Sequence, residues 1–477
     1  MIAFDNTYAR LPEGFFARIN PDQSPDPKLI KVNSKLATKI GLDADWLVSD
    51  AGIAMLSGAE VMDGSEPLAM AYAGHQFGGW SPLLGDGRAH LLGEVVGPDG
   101  VRRDIQLKGS GSTPFSRNGD GKAALGPVLR EYIVSEFMAT MGVPTTQALA
   151  AVTTGEQVQR ETEMPGAVLT RVAQSHVRIG TFQYFFARQD TMSLRVLTDY
   201  VIDRHYPSAW KAENPPLEML TMVMERYAKL IAQWMCLGFI HGVMNTDNVQ
   251  IAGETIDYGP CAFIDDFHPN KVFSSIDKNG RYAWVNQPNI GVWNISRFAE
   301  ALVPILNKNE EEAVKLAEGT IKRFSTIFNE ALNYGISTKL GISLNAAFMH
   351  STFKIMTDHK CDFTLFFAAL TQIAEGGSDK EFSALFVTTE PAMEWLDKWR
   401  ALHDPAMAKG MKAVNPVYIP RNHKIEEVIS SALAGDFTPF EKLMCILERP
   451  FETQDDADDY KNPPTADKIV HQTFCGT

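Results

Sequence analysis

A chain of 477 residues can hold two or three ordinary domains, or two lobes around one cleft. With 45% hydrophobic and 21% charged residues, its composition is that of a soluble globular protein. The formal net charge of −14 argues against nucleic acid as the main partner, because binding a phosphate backbone needs a positive face. Cys236, Cys261, Cys361, Cys445 and Cys475 are scattered, with no CxxC pair and no zinc spacing, which suits a reducing compartment. The start, MIAFDNTYARLPEGFF, reads as neither a signal peptide nor a membrane span, so a cytoplasmic protein with no membrane partner is expected.

In chain order, a Pro-rich stretch from Pro21 to Pro27 precedes a predicted helix near residues 34–40. The run PLAMAYAGHQFGGW follows, in which Gly74, Gly78 and Gly79 mark tight backbone. His75 reads there as a hydrogen-bonding core residue, with a ligand role as the alternative. In LLGDGRAHLLGEVV, Gly85 and Gly87 come before a strand over 89–96. Such a turn can cradle phosphate oxygens on backbone N–H groups, with Arg88 adding charge, or it can be an ordinary hairpin turn. RRDIQLKGSGSTPFSRNGDG then predicts a strand ending in Lys108 and a Gly/Ser loop with Asp120 and Gly121 at its end.

The segment GPVLREYIVSEFMATMG has helical spacing at Val128, Leu129, Tyr132, Ile133, Phe137 and Met141. Glu131 lies one turn into it. A strand Lys followed by a helix Glu is the pair protein kinases use to hold a triphosphate, the Lys as point charge and the Glu fixing its direction. The run AVLTRV over 167–172 predicts a buried strand that delivers Arg171, and Arg178 follows. Two Arg here suit a polyphosphate, with structural salt bridges as the alternative. Residues 217–238 form the clearest helix, with Leu217, Leu220, Met224, Tyr227, Ile231, Trp234 and Met235 on one stripe. Mostly helical chain is expected over 294–336 and 362–448, then an acidic, loosely held tail.

That helix leads into HGVMNTDNVQIAGETIDYG, residues 241–259. Val249, Ile251, Thr255 and Ile256 favour strands around a turn at 252–254, so a hairpin is expected that returns Asn248 and Asp257 to one end. An amide oxygen and a carboxylate are hard ligands of the kind Mg²⁺ takes alongside substrate phosphates, as the catalytic-loop Asn and Asp-Phe-Gly Asp of kinases do. Here the turn reads Asp257-Tyr258-Gly259. The position of the kinase base is Val243, which accepts no proton, and Asp247 is the remaining candidate base.

Taken together, YARLPEGFF, AYAGHQFGGW, LGDGRAHLLGE, QLKGSGSTPFSR, NTDNVQIAGETIDYGP and NPVYIPRNH identify a resemblance to the selenoprotein O (SelO/YdiU) family of protein adenylyltransferases over nearly the whole chain. The resemblance implies an α+β, protein-kinase-like fold with two lobes. It divides the chain into an extension packed on the N-lobe (1–80), a β-rich N-lobe (81–170) and a mainly helical C-lobe with its tail (171–477). It implies ATP bound in an orientation flipped relative to kinases, and AMP transfer to Ser, Thr or Tyr hydroxyls of proteins. UMP transfer with Mn²⁺ is also attributed to the family.

Carried over by motif, Lys108 and Glu131 would form the ion pair. Gly85, Gly87, Arg88, Asp120, Gly121, Arg171, Arg178 and Asp257 would line the nucleotide. Asn248 and Asp257 would hold Mg²⁺ or Mn²⁺, and Asp247 would accept the proton. Family members often carry a Cys or selenocysteine near the C-terminus, where Cys475 stands; it is read as an ordinary free thiol, with a disulfide to Cys261 as the alternative. An ordinary kinase and an inactive nucleotide-binding scaffold are the rival functions.

Overall fold

In a computed structural model, which describes residues 2–474, the apolar runs of the first 173 residues assemble one eight-stranded antiparallel sheet. Its strands are β1 (Phe16–Arg18), β2 (Lys28–Val32), β3 (Leu68–Met70), β6 (Ala89–Val96), β7 (Arg102–Lys108), β8 (Ala123–Ala124), β9 (Gln147–Gln159) and β10 (Glu163–Ala173), while β4 (Gly74–Gln76) and β5 (Gly79–Ser81) form a separate hairpin. The main path runs β1-β3-β6-β7-β10-β9-β2, with β8 paired to β10. Residues 1–80 therefore supply three strands of the sheet itself.

Alternation along these strands divides the two faces. Leu92, Val95, Ile105, Leu107, Val152, Val168 and Val172 cluster with the helices α1 (Ser34–Lys39), α2 (Ala44–Leu47) and α3 (Asp50–Ser57). Leu91, Ala151, Ala167 and Leu169 point the other way, into the cluster that holds α4 (Leu125–Thr140). Period two places Gln106 and Lys108 of β7, and Leu169 and Arg171 of β10, on this second side. The β7–β10 register sets Arg171 opposite Gln106 and Leu169 opposite Lys108. The polar side chains of the site thus project from the sheet toward α4.

The rest of the chain is mainly helical, so the molecule as a whole is α+β. After α5 (Ile179–Phe186) and α6 (Thr191–His205) comes α7 (Pro215–Cys236). Asn214 caps α7 by accepting from Leu217 N, and two prolines occupy its first turn, where no N–H is needed. Its predicted stripe is buried from Leu220 to Met235, each large side chain contributing roughly 1.5–3 kcal/mol. α7 hands the chain to β11 (Phe239–Ile240), which pairs with β12 (Ala262–Phe263). Helix α8 (Gln287–Leu306) packs against α7, and helices continue to Lys461. No helix among the described residues is long and apolar enough to cross a membrane.

One expected element is absent: the two arms of residues 249–256 form no β-ladder with each other. Residues Thr246–Asn248 form a single 3₁₀ turn. Gln250 then bridges Arg178, and Ile179 N and Val177 O bond to Val249 O and Ile251 N. Thr255 bridges Thr145 on the other side. Val249, Ile251 and Ile256 are all buried, and each arm satisfies its backbone on a different distant segment. The loop still returns Asp257 to the neighbourhood of Asn248. Cys475, with its anticipated role, lies outside the described residues.

Candidate active site

A cavity of about 780 Å³ opens between the sheet, α4 and the 241–260 loop. Its wall includes Gly85, Gly87, Arg88, Lys108, Asp120, Gly121, Glu131, Arg171, Arg178, Asp247, Asn248 and Asp257. In a chain of net charge −14, this lining carries eight Lys or Arg side chains against five Asp or Glu. Such a basic cleft attracts an anion that the rest of the surface repels.

At its inner end the charges are interlocked. Lys108 Nζ lies 2.5 Å from Glu131 Oε2 and 2.8 Å from Asp257 Oδ1. Arg171 Nη1 reaches Asp257 Oδ1 at 2.8 Å and Glu131 Oε1 at 3.2 Å. Arg178 Nη1 donates to Asp257 Oδ2 at 2.9 Å and to the Asp247 carbonyl at 2.7 Å. Burial opposes ionisation of Asp257, but the charges of Lys108, Arg171 and Arg178 outweigh it and hold the carboxyl well below the usual range. Asp257 also has φ of 64°, a left-handed backbone that non-glycine residues hold only where the surroundings enforce it.

The two arginines are held from behind by residues that the sequence pattern did not single out. Gln106 Oε1 accepts from Arg171 Nη2 at 2.6 Å and from its Nε at 3.2 Å, and Gln106 Nε2 donates to Asp86 Oδ2 at 3.1 Å. Asp86 Oδ1 lies 3.7 Å from Arg178 Nη2, and the Tyr72 ring lies under that guanidinium at 4.7 Å. Arg178 Nε is buried with no hydrogen-bond partner among the described residues. Gln106 stands two residues before Lys108, so strand periodicity alone could have flagged it. Asp86 sits inside the Gly-Asp-Gly turn, where its own role was hidden by the glycines.

Those glycines act differently from the expectation. Gly85 N donates to Tyr72 O and Gly87 N to Gly85 O, so neither N–H is open to a phosphate. What they supply is clearance: a Cβ at Gly85 would lie 2.3 Å from the Phe115 ring, and one at Gly87 2.8 Å from Phe115 O. The 109–121 loop can therefore fold down over the turn. At the loop's end Asp120 accepts from Arg160 at 2.8 and 3.2 Å, holding that cation at the rim.

Asp247 is buried, and burial pushes its carboxyl up to about 6, with the hydrogen bond from Gln76 and the charge of Arg178 pulling the other way. Asn248 Nδ2 donates to Val243 O at 3.0 Å, which leaves the amide oxygen for a ligand. Val243 also lines the cavity, without a proton-accepting group. His75 bonds Gln183 and packs between Trp80 and Trp293, a hydrogen-bonding role as expected, but it is half-buried and not a core residue. No group of three His, Cys, Asp or Glu among the described residues could hold a metal unaided. Asp257 and Asn248 nonetheless fit a divalent ion of the Mg²⁺ type, which binds through one or two protein oxygens and completes its shell with phosphate and water.

Basic residues around an acidic turn, with hard oxygens beside a raised carboxyl, make a site for transfer chemistry on a phosphate-bearing substrate. The family model for protein adenylyltransferase SelO matches residues 1–448. Proteins called protein nucleotidyltransferase YdiU are similar along their full length. The one from Bradyrhizobium sp. (strain BTAi1) is 53% identical, with 99% of both chains covered. Those of Methylorubrum extorquens (52%; all of this chain and 99% of the relative) and Rhizobium rhizogenes (53%; all of this chain and 97% of the relative) are as similar. The chain belongs to the SelO family of protein adenylyltransferases and is an AMP-transferring enzyme, with ATP and a divalent metal as the general requirements of that activity.

Proposed function

We propose that the enzyme transfers AMP from ATP to Ser, Thr or Tyr hydroxyls of protein substrates, in a kinase-like arrangement whose nucleotide is reversed. In this reading the sheet with α4, up to about residue 170, is the N-lobe, and the helical remainder is the C-lobe. The observation that carries the proposal is the buried Arg171–Arg178 pair at the inner end of the cavity. A kinase buries an adenine ring against apolar residues at about that point in the chain, and two guanidinium groups there favour phosphates instead.

With the triphosphate turned inward, Lys108, Arg171 and Arg178 take its terminal phosphates, and the α-phosphorus comes to Asn248, Asp257 and Asp247. The acceptor hydroxyl gives its proton to Asp247 and its oxygen attacks the α-phosphorus. The bond from that phosphorus to the bridging oxygen breaks, and pyrophosphate leaves into the three cations, which stabilise its developing charge. A divalent ion on Asn248 and Asp257 would supply charge neutralisation at the phosphates. Glu131 and Gln106 hold Lys108 and Arg171 in place throughout.

UMP transfer from UTP with Mn²⁺ rests on the family resemblance alone. A cytoplasmic location suits an ATP-using enzyme with few, scattered cysteines. The test uses ATP labelled at the α or the γ position with protein acceptors, or with the enzyme as its own acceptor. Label is expected from the α position only; label from γ alone would return the chain to ordinary phosphoryl transfer.

A further inference from the structure

The β4–β5 hairpin is small and stands apart from the main sheet, yet it is bound to the segment that carries Asp247. His75 N donates to Thr246 Oγ1 at 2.7 Å, and Phe77 N to Asn245 Oδ1 at 2.9 Å. Phe77 has φ of 51°, and its ring meets the Tyr282 ring at 5.2 Å, whose hydroxyl also bonds Asn245. Between these two anchors Gln76 Nε2 donates to Asp247 Oδ2 at 3.0 Å.

The other carboxylate oxygen is covered by the same hairpin. A Cβ on Gly74 would lie 2.7 Å from Asp247 Oδ1, and Oδ1 is buried with no hydrogen-bond partner among the described residues. A carboxylate oxygen has two lone pairs, and the Gln76 amide occupies one on Oδ2. Both Gln76 and Asp247 line the cavity. Oδ2 is therefore the oxygen through which a ligand in the cavity meets this carboxylate, and Gln76 sets its direction.

We propose that Gln76 is a positioning residue for AMP transfer: its carboxamide turns Asp247 so that the free lone pair of Oδ2 faces the acceptor hydroxyl, while Gly74 seals Oδ1 from behind. The proposal rests on the reading of Asp247 as proton acceptor, and acts through that residue alone. Proton transfer is sensitive to alignment, and loosening one donor costs about 10–100-fold in turnover without weakening substrate binding.

The experiment is steady-state kinetics with α-labelled ATP on the full chain. Gln76→Ala is expected to lower kcat about 10–100-fold with KM for ATP within about twofold. Gln76→Asn, whose amide is one methylene too short, should behave alike. Gly74→Ala, which pushes on Oδ1 and leaves Gln76 in place, provides an independent route to the same selective loss of kcat if the Gln76 variants fold poorly. Added to Asp247→Ala, Gln76→Ala should cause no further loss, because a residue acting through Asp247 has nothing left to position. Wild-type kcat in a folded Gln76→Ala, or a full additional loss in the double variant, would overturn the proposal. Wild-type turnover in Asp247→Ala would overturn the proton-acceptor reading beneath it, a separate result.

Discussion

Lys108, Arg171 and Arg178 all end on the carboxylate of Asp257, and the consequences of removing that one charge differ for chemistry and for binding. Asp257→Asn keeps the size of the side chain but returns three cations to the cavity, two of them buried. Turnover should fall by at least about 10²-fold, since charge stabilisation at the reacting phosphate is the main term available. Binding of ATP in the presence of a chelator should hold or tighten, because the phosphates no longer compete with a carboxylate for those cations. Equilibrium binding of a fluorescent ATP analogue in EDTA, set beside the turnover number, checks both halves. Weaker binding would mean that Asp257 orders the cations and does not merely compete for them.

At the scale of elements, the 249–256 loop is fastened to the end of β10 by Glu254. Its Oε2 accepts from Gln174 N at 2.9 Å and its Oε1 from Gln174 Nε2 at 3.1 Å. Burial pushes this carboxyl up to about 7 from an ordinary 4.5. Between those values the folded protein holds a proton that the unfolded chain has released, so this contribution is present at low pH and is lost as pH rises through 7. Its full size is about 3 kcal/mol. The neutral Glu254→Gln can keep both bonds if the Gln174 amide reverses. From about pH 5 to pH 8 the thermal midpoint of wild type should therefore fall relative to that of Glu254→Gln; parallel curves would refute the assignment.

The same loop shows what the sequence could carry. Lys108, Glu131 and Asp257 were legible because each sits at a marked place: the end of a strand, one turn into a helix, and an Asp-Tyr-Gly turn. The hairpin expectation failed because the backbone partners of 249–256 lie near residues 145 and 178, and β-propensity says nothing about which partner wins. Gly85 and Gly87 read as a turn for phosphate oxygens, because the neighbour that requires them, Phe115, approaches from a loop whose course no local pattern gives. Gln76 reaches Asp247 across 171 residues of chain, beyond any spacing rule.

Over the whole molecule, buried charge as well as apolar packing holds the fold together. Within the helical part, Arg421 of the NPVYIPRNH motif is 1% exposed and bonds Asp265 just after β12 and Asp362 at the start of the helix Phe363–Ala374, the latter at 2.9 Å. A similar closed circuit surrounds Asp257, and it has a thermodynamic corollary. Asp257 is paired with the protein's own cations, so in the proposed binding mode it would offer little negative charge to a divalent ion until a nucleotide's phosphates drew those cations away. The two ligands are then coupled, each raising the affinity for the other by one common factor. Water-proton relaxation, which reports Mn²⁺ held on the protein, should register almost no binding to the enzyme alone. An inert ATP analogue should bind measurably without metal. The resting circuit would thus work as an order of loading, keeping the enzyme from filling its metal site before there is anything to transfer.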